Sequence, residues 1–162
     1  MMEAKNYKKW LLTLLHETFG LSTQPGAYFL DSGSSGYFGV LETVGADLAS
    51  QPLKPGNATV AVHCNHVVFL LQVVEKYLRG EDIKTKKEDW EATWQVITVS
   101  ESEWNLTRNL LRDRFDQLIS SIEAVENWTE EAVADSLIVL VHSAYHLGEI
   151  RQIISSAHSE AS

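Results

Sequence analysis

Cysteine is almost missing from this chain: Cys64 is the only one in 162 residues, so no internal disulfide can form and nothing implies an oxidising compartment. Proline is nearly as scarce, at 25, 52 and 55 only, which leaves the rest of the chain after residue 55 free of the residue that breaks helices. Basic side chains are in deficit as well, 13 against 22 acidic ones, for a net charge of -9. That balance argues against DNA or RNA, whose binders draw affinity from a basic, counterion-releasing surface. Long apolar runs are absent: stretches such as Ser136 to Val141 fall far short of the roughly 20 residues that span a bilayer. The first residues, Met1-Met2-Glu3-Ala4-Lys5-Asn6, lack the apolar core and small-residue cleavage site of a signal peptide, so a cytoplasmic protein is expected. With 44% hydrophobic residues, the length suits one soluble domain, 1–162, with a sizeable core.

What the chain does have is histidine in pairs. Val62-His63-Cys64-Asn65-His66-Val67 and Val141-His142-Ser143-Ala144-Tyr145-His146 both lie in proline-free, apolar-periodic runs that read as helices. His142 and His146, four apart, share a helix face, and His63 and His66, three apart, nearly do so. Two helices burying these faces against each other would bring up to four imidazoles into one small volume, which suits zinc, nickel or iron. The plainer alternative is core histidines satisfied by hydrogen bonds. Cys64 projects nearly opposite His66 and reads as a packing residue. His16 has no histidine three or four residues away and reads as a surface or packing residue.

In chain order, the periodicity predicts helices near 3–19, 58–79, 100–125 and 130–157. Tyr7, Trp10, Leu11, Leu14, Leu15 and Thr18 form the apolar stripe of the first, and Gly20 stops it. Turn signals then crowd 21–57, at Gln24-Pro25-Gly26, Asp31 to Gly36 and Gln51 to Gly56, with one short helix expected over Tyr37 to Ala49. So long a connection often belongs to a functional surface and could wall the open end of the site, with a solvated crossover the favoured, plainer reading. In the second long helix Val62, His63, Phe69, Leu70, Val73 and Tyr77 share the face of His66. Residues 81–88 read as a charged linker and 90–99 as an irregular or short extended segment. Ser100 caps the third helix with Glu103 completing a capping box, and Thr129 caps the fourth. Asp135 and Glu149, two turns before and after His142, fall on the histidine stripe. Of the two, Glu149 is the better partner for a free ring N–H of a ligating histidine, with an exposed helix-terminal glutamate the equal alternative. Residues 158–162 read as a frayed tail.

Several chemistries lack their residues. No glutamate follows the first histidine of the pair as a zinc protease requires, no Gly-Lys-Ser/Thr ends a glycine loop, and Glu-x-x-His does not recur on two helices as in di-iron bundles. One metal ion is the count that remains.

The Ala-Val-His-Cys-Asn-His-Val segment, Tyr28-Phe29-Leu30-Asp31 with the glycines after it, the Gln51-Pro52 to Pro55-Gly56 approach, and His142-Ser-Ala-Tyr-His146-Leu-Gly-Glu-Ile-Arg-Gln resemble the DinB/YfiT-like family of metal-dependent enzymes. The resemblance spans nearly the whole chain, and its most specific part is the C-terminal His-x-x-x-His followed by Gly, an acid and Ile. It implies an all-α four-helix bundle of up-down-down-up topology, often dimeric, so a homodimer is expected. One divalent ion (zinc, nickel, iron or manganese) would be held by His66, His142 and His146, these being the positions that match the family's ligands. Members with known activity use a low-molecular-weight thiol, as in thiol S-transferases and mycothiol-dependent maleylpyruvate isomerase. The expectation is therefore a metal-dependent thiol transferase or hydrolase acting on a small molecule. The alternative is a non-catalytic metal- or small-ligand-binding bundle with a stress-related role.

Overall fold

A computed structural model describes residues 4–20, 27–31, 35–83 and 86–160. The turn expected at 24–26, residues 32–34 of that at 31–36, residues 84–85 of the expected linker, the helix start at Glu3 and the last two residues of the tail lie outside the described residues. Seven helices are described: α1 (Ala4–Phe19), α2 (Tyr37–Glu42), α3 (Ala46–Ala49), α4 (Val60–Leu78), α5 (Lys87–Ala92), α6 (Glu101–Ala124) and α7 (Glu130–Glu160). The fold is all-α, with no strand among the described residues beyond an isolated bridge between Pro52 and Thr59. No described helix is long and apolar enough to cross a membrane.

The ends of the long helices follow their capping residues. Thr59 opens α4 by accepting the Val62 N–H at 3.2 Å, and its hydroxyl donates to the Ile97 carbonyl at 3.0 Å, tying the helix start to the segment before α6. Ser100 and Glu103 form the reciprocal box that opens α6, and Thr129 accepts the Ala132 N–H at the start of α7. Gly80, at φ +76°, closes α4 in the left-handed region that glycine adopts without strain. The last carbonyls of α6 are met from another helix: Lys8 of α1 donates to the carbonyls of Glu123 and Val125 at 2.8 and 2.7 Å.

Four long helices close a ring of contacts, α1 on α6, α6 on α4, α4 on α7 and α7 on α1. Their cross-links give the relative directions. Tyr7 donates to the Val133 carbonyl, start to start, so α1 and α7 run the same way. Lys8 meets the end of α6, so α1 and α6 oppose. His63 pairs with His146 and His66 with His142, so α4 opposes α7. Between them sits one core, in which Leu11, Leu15 and Phe19 of α1 meet Val67 and Leu71 of α4, Trp104, Leu111 and Leu118 of α6, and Val139, Leu147 and Ile150 of α7. Phe19 stacks on both Tyr37 and Phe115, at 4.8 and 4.6 Å.

The structure departs from the sequence reading in four places. Residues 37–49 form two short helices because α6 takes the groups that would join them: the Trp104 indole donates to the Val44 carbonyl at 2.6 Å, and Glu101 accepts the Ala46 N–H at 3.0 Å. Residues 87–92 are helical, where a linker end and an irregular segment were expected. Asp89 accepts the Lys86 N–H at its start, and Trp90 packs edge-on against Phe69. The end of α7 runs on to Glu160, past the expected stop at 157, since neither proline nor glycine follows Gly148. Trp10 and Tyr77, placed on apolar stripes, stay 43% and 40% exposed: Trp10 packs on Tyr28, and the Tyr77 hydroxyl reaches the Ile83 carbonyl.

Trp104 is fully buried and carries both packing and a hydrogen bond. Trp104→Ala is expected to cost about 3–5 kcal/mol of stability. Trp104→Phe, which strands the Val44 carbonyl but keeps a ring, should cost about 1–3 kcal/mol. Urea unfolding checks both, and equal small losses would contradict this packing.

Candidate metal centre

Because α4 and α7 run in opposite directions, His63 faces His146 while His66 faces His142. The Nδ1 atoms of His63 and His146 lie 2.9 Å apart. Nε2 of His142 stands 3.0 Å from Nε2 of His66 and 2.9 Å from Nε2 of His146. His63, His66 and His146 are buried and His142 half-buried. His66, His142 and His146 each offer one ligand atom, all within 4.8 Å of one another, so the three could hold a metal ion.

The hydrogen-bond chain around His66 sets its tautomer. The Thr93 hydroxyl donates its one proton to the Trp90 carbonyl at 2.6 Å, so towards His66 Nδ1, 2.7 Å away, it can only accept. Nδ1 of His66 therefore carries the proton, and Nε2 presents a lone pair to the cluster. His142 Nε2 has one proton at most, with two nitrogens at hydrogen-bond distance. With a lone pair already on His66 Nε2, the two contacts of His142 cannot each have a proton of its own while the rings are neutral. A cation at the convergence point resolves that conflict. In that arrangement His146 Nδ1–H donates to His63, which fixes the ring of His146 as Thr93 fixes that of His66.

Protonation is a poor remedy for the crowding. Burial first, then the neighbouring imidazoles His142 and His63, push the pKa of His66 down to about 4. Burial and the charges of His63, His142 and His66 push His146 down to about 3. His142 is lowered by burial. His63 is lowered by burial too, with the Glu149 carboxylate pulling the other way. At neutral pH all four are uncharged rings, the form in which histidine binds metal.

Of the other residues singled out in the sequence, Cys64 is buried in the apolar core with its thiol pKa pushed up by burial, consistent with packing. His16 is exposed and stands edge-on to Phe115. Among the described residues the ligand-distance group contains neither Asp135 nor Glu149. Glu149 is exposed, and its charge acts on His63 instead of on the three clustered rings. The residues that sequence reasoning missed are Thr93, which is buried and orients His66, and Trp90 and Trp94, whose rings flank His66 at 5.7 and 4.5 Å. All three lie in a stretch without periodicity. Its density of tryptophan was the available signal.

Thr93→Val, which keeps the shape and removes the acceptor for His66 Nδ1–H, should lower divalent-metal affinity by about 10–100-fold. A calorimetric titration showing unchanged affinity would contradict the role given to Thr93. Metal-free protein should also be acid-sensitive. His66 and His146 have folded pKa values below the ordinary 6.5, so the unfolded chain takes up protons first. Their contribution is complete above pH 6.5 and is lost as pH falls through about 4 for His66 and about 3 for His146. Melting temperature in chelator should fall over that window, and the fall should be shallower in a His66→Gln/His146→Gln double variant. Identical slopes would contradict the shifts. No family model, no curated protein and no solved structure matches the chain, so the functional reading rests on this geometry and on the motifs that carry it.

Proposed function

We propose that this chain is a DinB/YfiT-like metal-dependent enzyme, a thiol S-transferase that holds one divalent ion (zinc, nickel, iron or manganese) on His66, His142 and His146. The observation that carries this reading is the convergence of three neutral ring nitrogens 2.9–3.0 Å apart in sequential pairs, with His66 Nδ1–H committed to Thr93. The helix directions support an up-down-down-up four-helix bundle: α1 and α7 run one way, and α4 runs the other. α6 opposes α1 and lies alongside α4, Glu75 and Ser121 meeting near their ends. The same resemblance makes a cytoplasmic homodimer part of the proposal.

A divalent ion in such a site supplies Lewis acidity, lowering the pKa of a thiol or water beside it. The chain's own residues do the rest. Thr93 and His63 hold the rings of His66 and His146 in orientation. Trp90 and Trp94 cover His66 and reduce its access to water. Three protein ligands leave positions open for a small molecule, as in catalytic zinc sites. In the proposed transfer the thiol S–H bond is broken and its proton leaves to solvent. A new S–C bond forms to the electrophilic carbon, and the leaving group departs with the pair of electrons from the bond it gives up.

Protein loaded with zinc, nickel or manganese should accelerate alkylation of a small thiol by monochlorobimane. His146→Ala should reduce that rate to background. A tightly held ion with no thiol accelerated would favour the non-catalytic binding bundle over the transferase.

A further inference from the structure

Next to the histidine cluster, and sharing His146 with it, is a cavity of about 240 Å³. That is below the range of about 300–1,000 Å³ usual for drug-sized ligands, so it seats one end of a small molecule. Its polar and aromatic wall is made by Asn57, His63, Trp94, Tyr145, Glu149 and Gln152. Among the described residues, Glu149 is the only carboxylate there, and no lysine or arginine lines the cavity. Arg151 lines the neighbouring hollow, beside Leu147 and Gly148, and not this one. In the metal-free protein an anionic group entering would meet Glu149 with neither lysine nor arginine to offset it, which costs free energy in a partly desolvated space. A protonated amine meets the opposite conditions: a carboxylate for its charge, amide oxygens of Asn57 and Gln152 for its N–H groups, and the π faces of two partly exposed rings. Trp94 and Tyr145 come from different elements and border the cavity together, Trp94 37% and Tyr145 60% exposed. On α7, Tyr145 and Glu149 are four residues apart and Glu149 and Gln152 three apart, so they share one helix face.

We propose that this cavity binds the protonated amine of a small aminothiol, with Glu149 as its counter-charge and the Trp94 and Tyr145 rings beside it, leaving the thiol end towards His146. The thiol half rests on the metal-site reading above, whereas the amine half rests on the cavity alone. Glu149 thereby becomes a specificity residue.

The test uses three probes of nearly equal size and different charge: cysteamine, 2-mercaptoethanol and mercaptoacetate, with ethylamine as a thiol-free amine. Each is titrated by NMR into the full chain, as purified and after metal removal, with metal content measured on the same samples. After metal removal cysteamine should bind at least about tenfold more tightly than mercaptoacetate, and ethylamine should displace it. Glu149→Gln, at an exposed position whose circular dichroism should be unchanged, should bring that ratio close to one, and Glu149→Lys should invert it. Equal or tighter binding of mercaptoacetate by the metal-free protein, or a ratio there unchanged in Glu149→Gln, would overturn the inference whether or not the protein as purified holds metal. If no metal is held but ethylamine binding still depends on Glu149, the metal reading fails and the amine site stands.

Discussion

The structure turns on a shortage of protons. Four imidazoles are brought together where α4 and α7 face each other, and three of their Nε2 atoms meet in successive contacts of 3.0 and 2.9 Å. Thr93 takes the one proton of neutral His66 at Nδ1, so its Nε2 arrives at the cluster bare. His142 then has two neighbours and one proton at most. Extra protons are resisted by burial and by mutual repulsion of the rings, which is why His66 and His146 are so hard to charge. A buried polar cluster that its own hydrogen bonds cannot satisfy is costly, and a divalent cation is the simplest species that uses every lone pair at once.

The rest of the fold keeps those two helix faces in register. Ties from α1 to α7 at Tyr7 and from α2 to α7 at Tyr37, whose hydroxyl donates to the Ser143 carbonyl at 2.9 Å, anchor α7 to α1 and α2. The Thr59 cap and its bond to Ile97 place the start of α4. Asn65 and His66 both bond to Thr93, one to its carbonyl and one to its side chain, so the short α5 segment is moored on the helix it serves. Gly36 is needed for this arrangement: a side chain there would run into the backbone of Glu17 and Thr18 at the end of α1.

Much of this was legible in the sequence because its signals are local and periodic. Histidines at spacings of three and four in proline-free apolar runs placed the site residues on helix faces. Ser100, Glu103 and Thr129 marked helix starts through side-chain chemistry that acts within one turn. What was not legible depends on partners distant in sequence. The break between α2 and α3 is made by Trp104 and Glu101, more than fifty residues downstream. Thr93 matters only because α5 folds back onto α4. His63 could be placed beside His66 by spacing, but its pairing with His146 follows from the offset between two antiparallel helices, which periodicity does not specify. Glu149 was rightly put on the histidine side, yet it faces the cavity and His63 and not the clustered nitrogens.

The central claim is that His66, His142 and His146 together hold one divalent ion, and metal analysis of untagged protein purified without added metal tests it most directly. The account predicts about one ion per chain, lost in His66→Ala and largely kept in His63→Ala. No bound metal, combined with a melting temperature that does not rise on adding zinc, nickel or manganese, would contradict it.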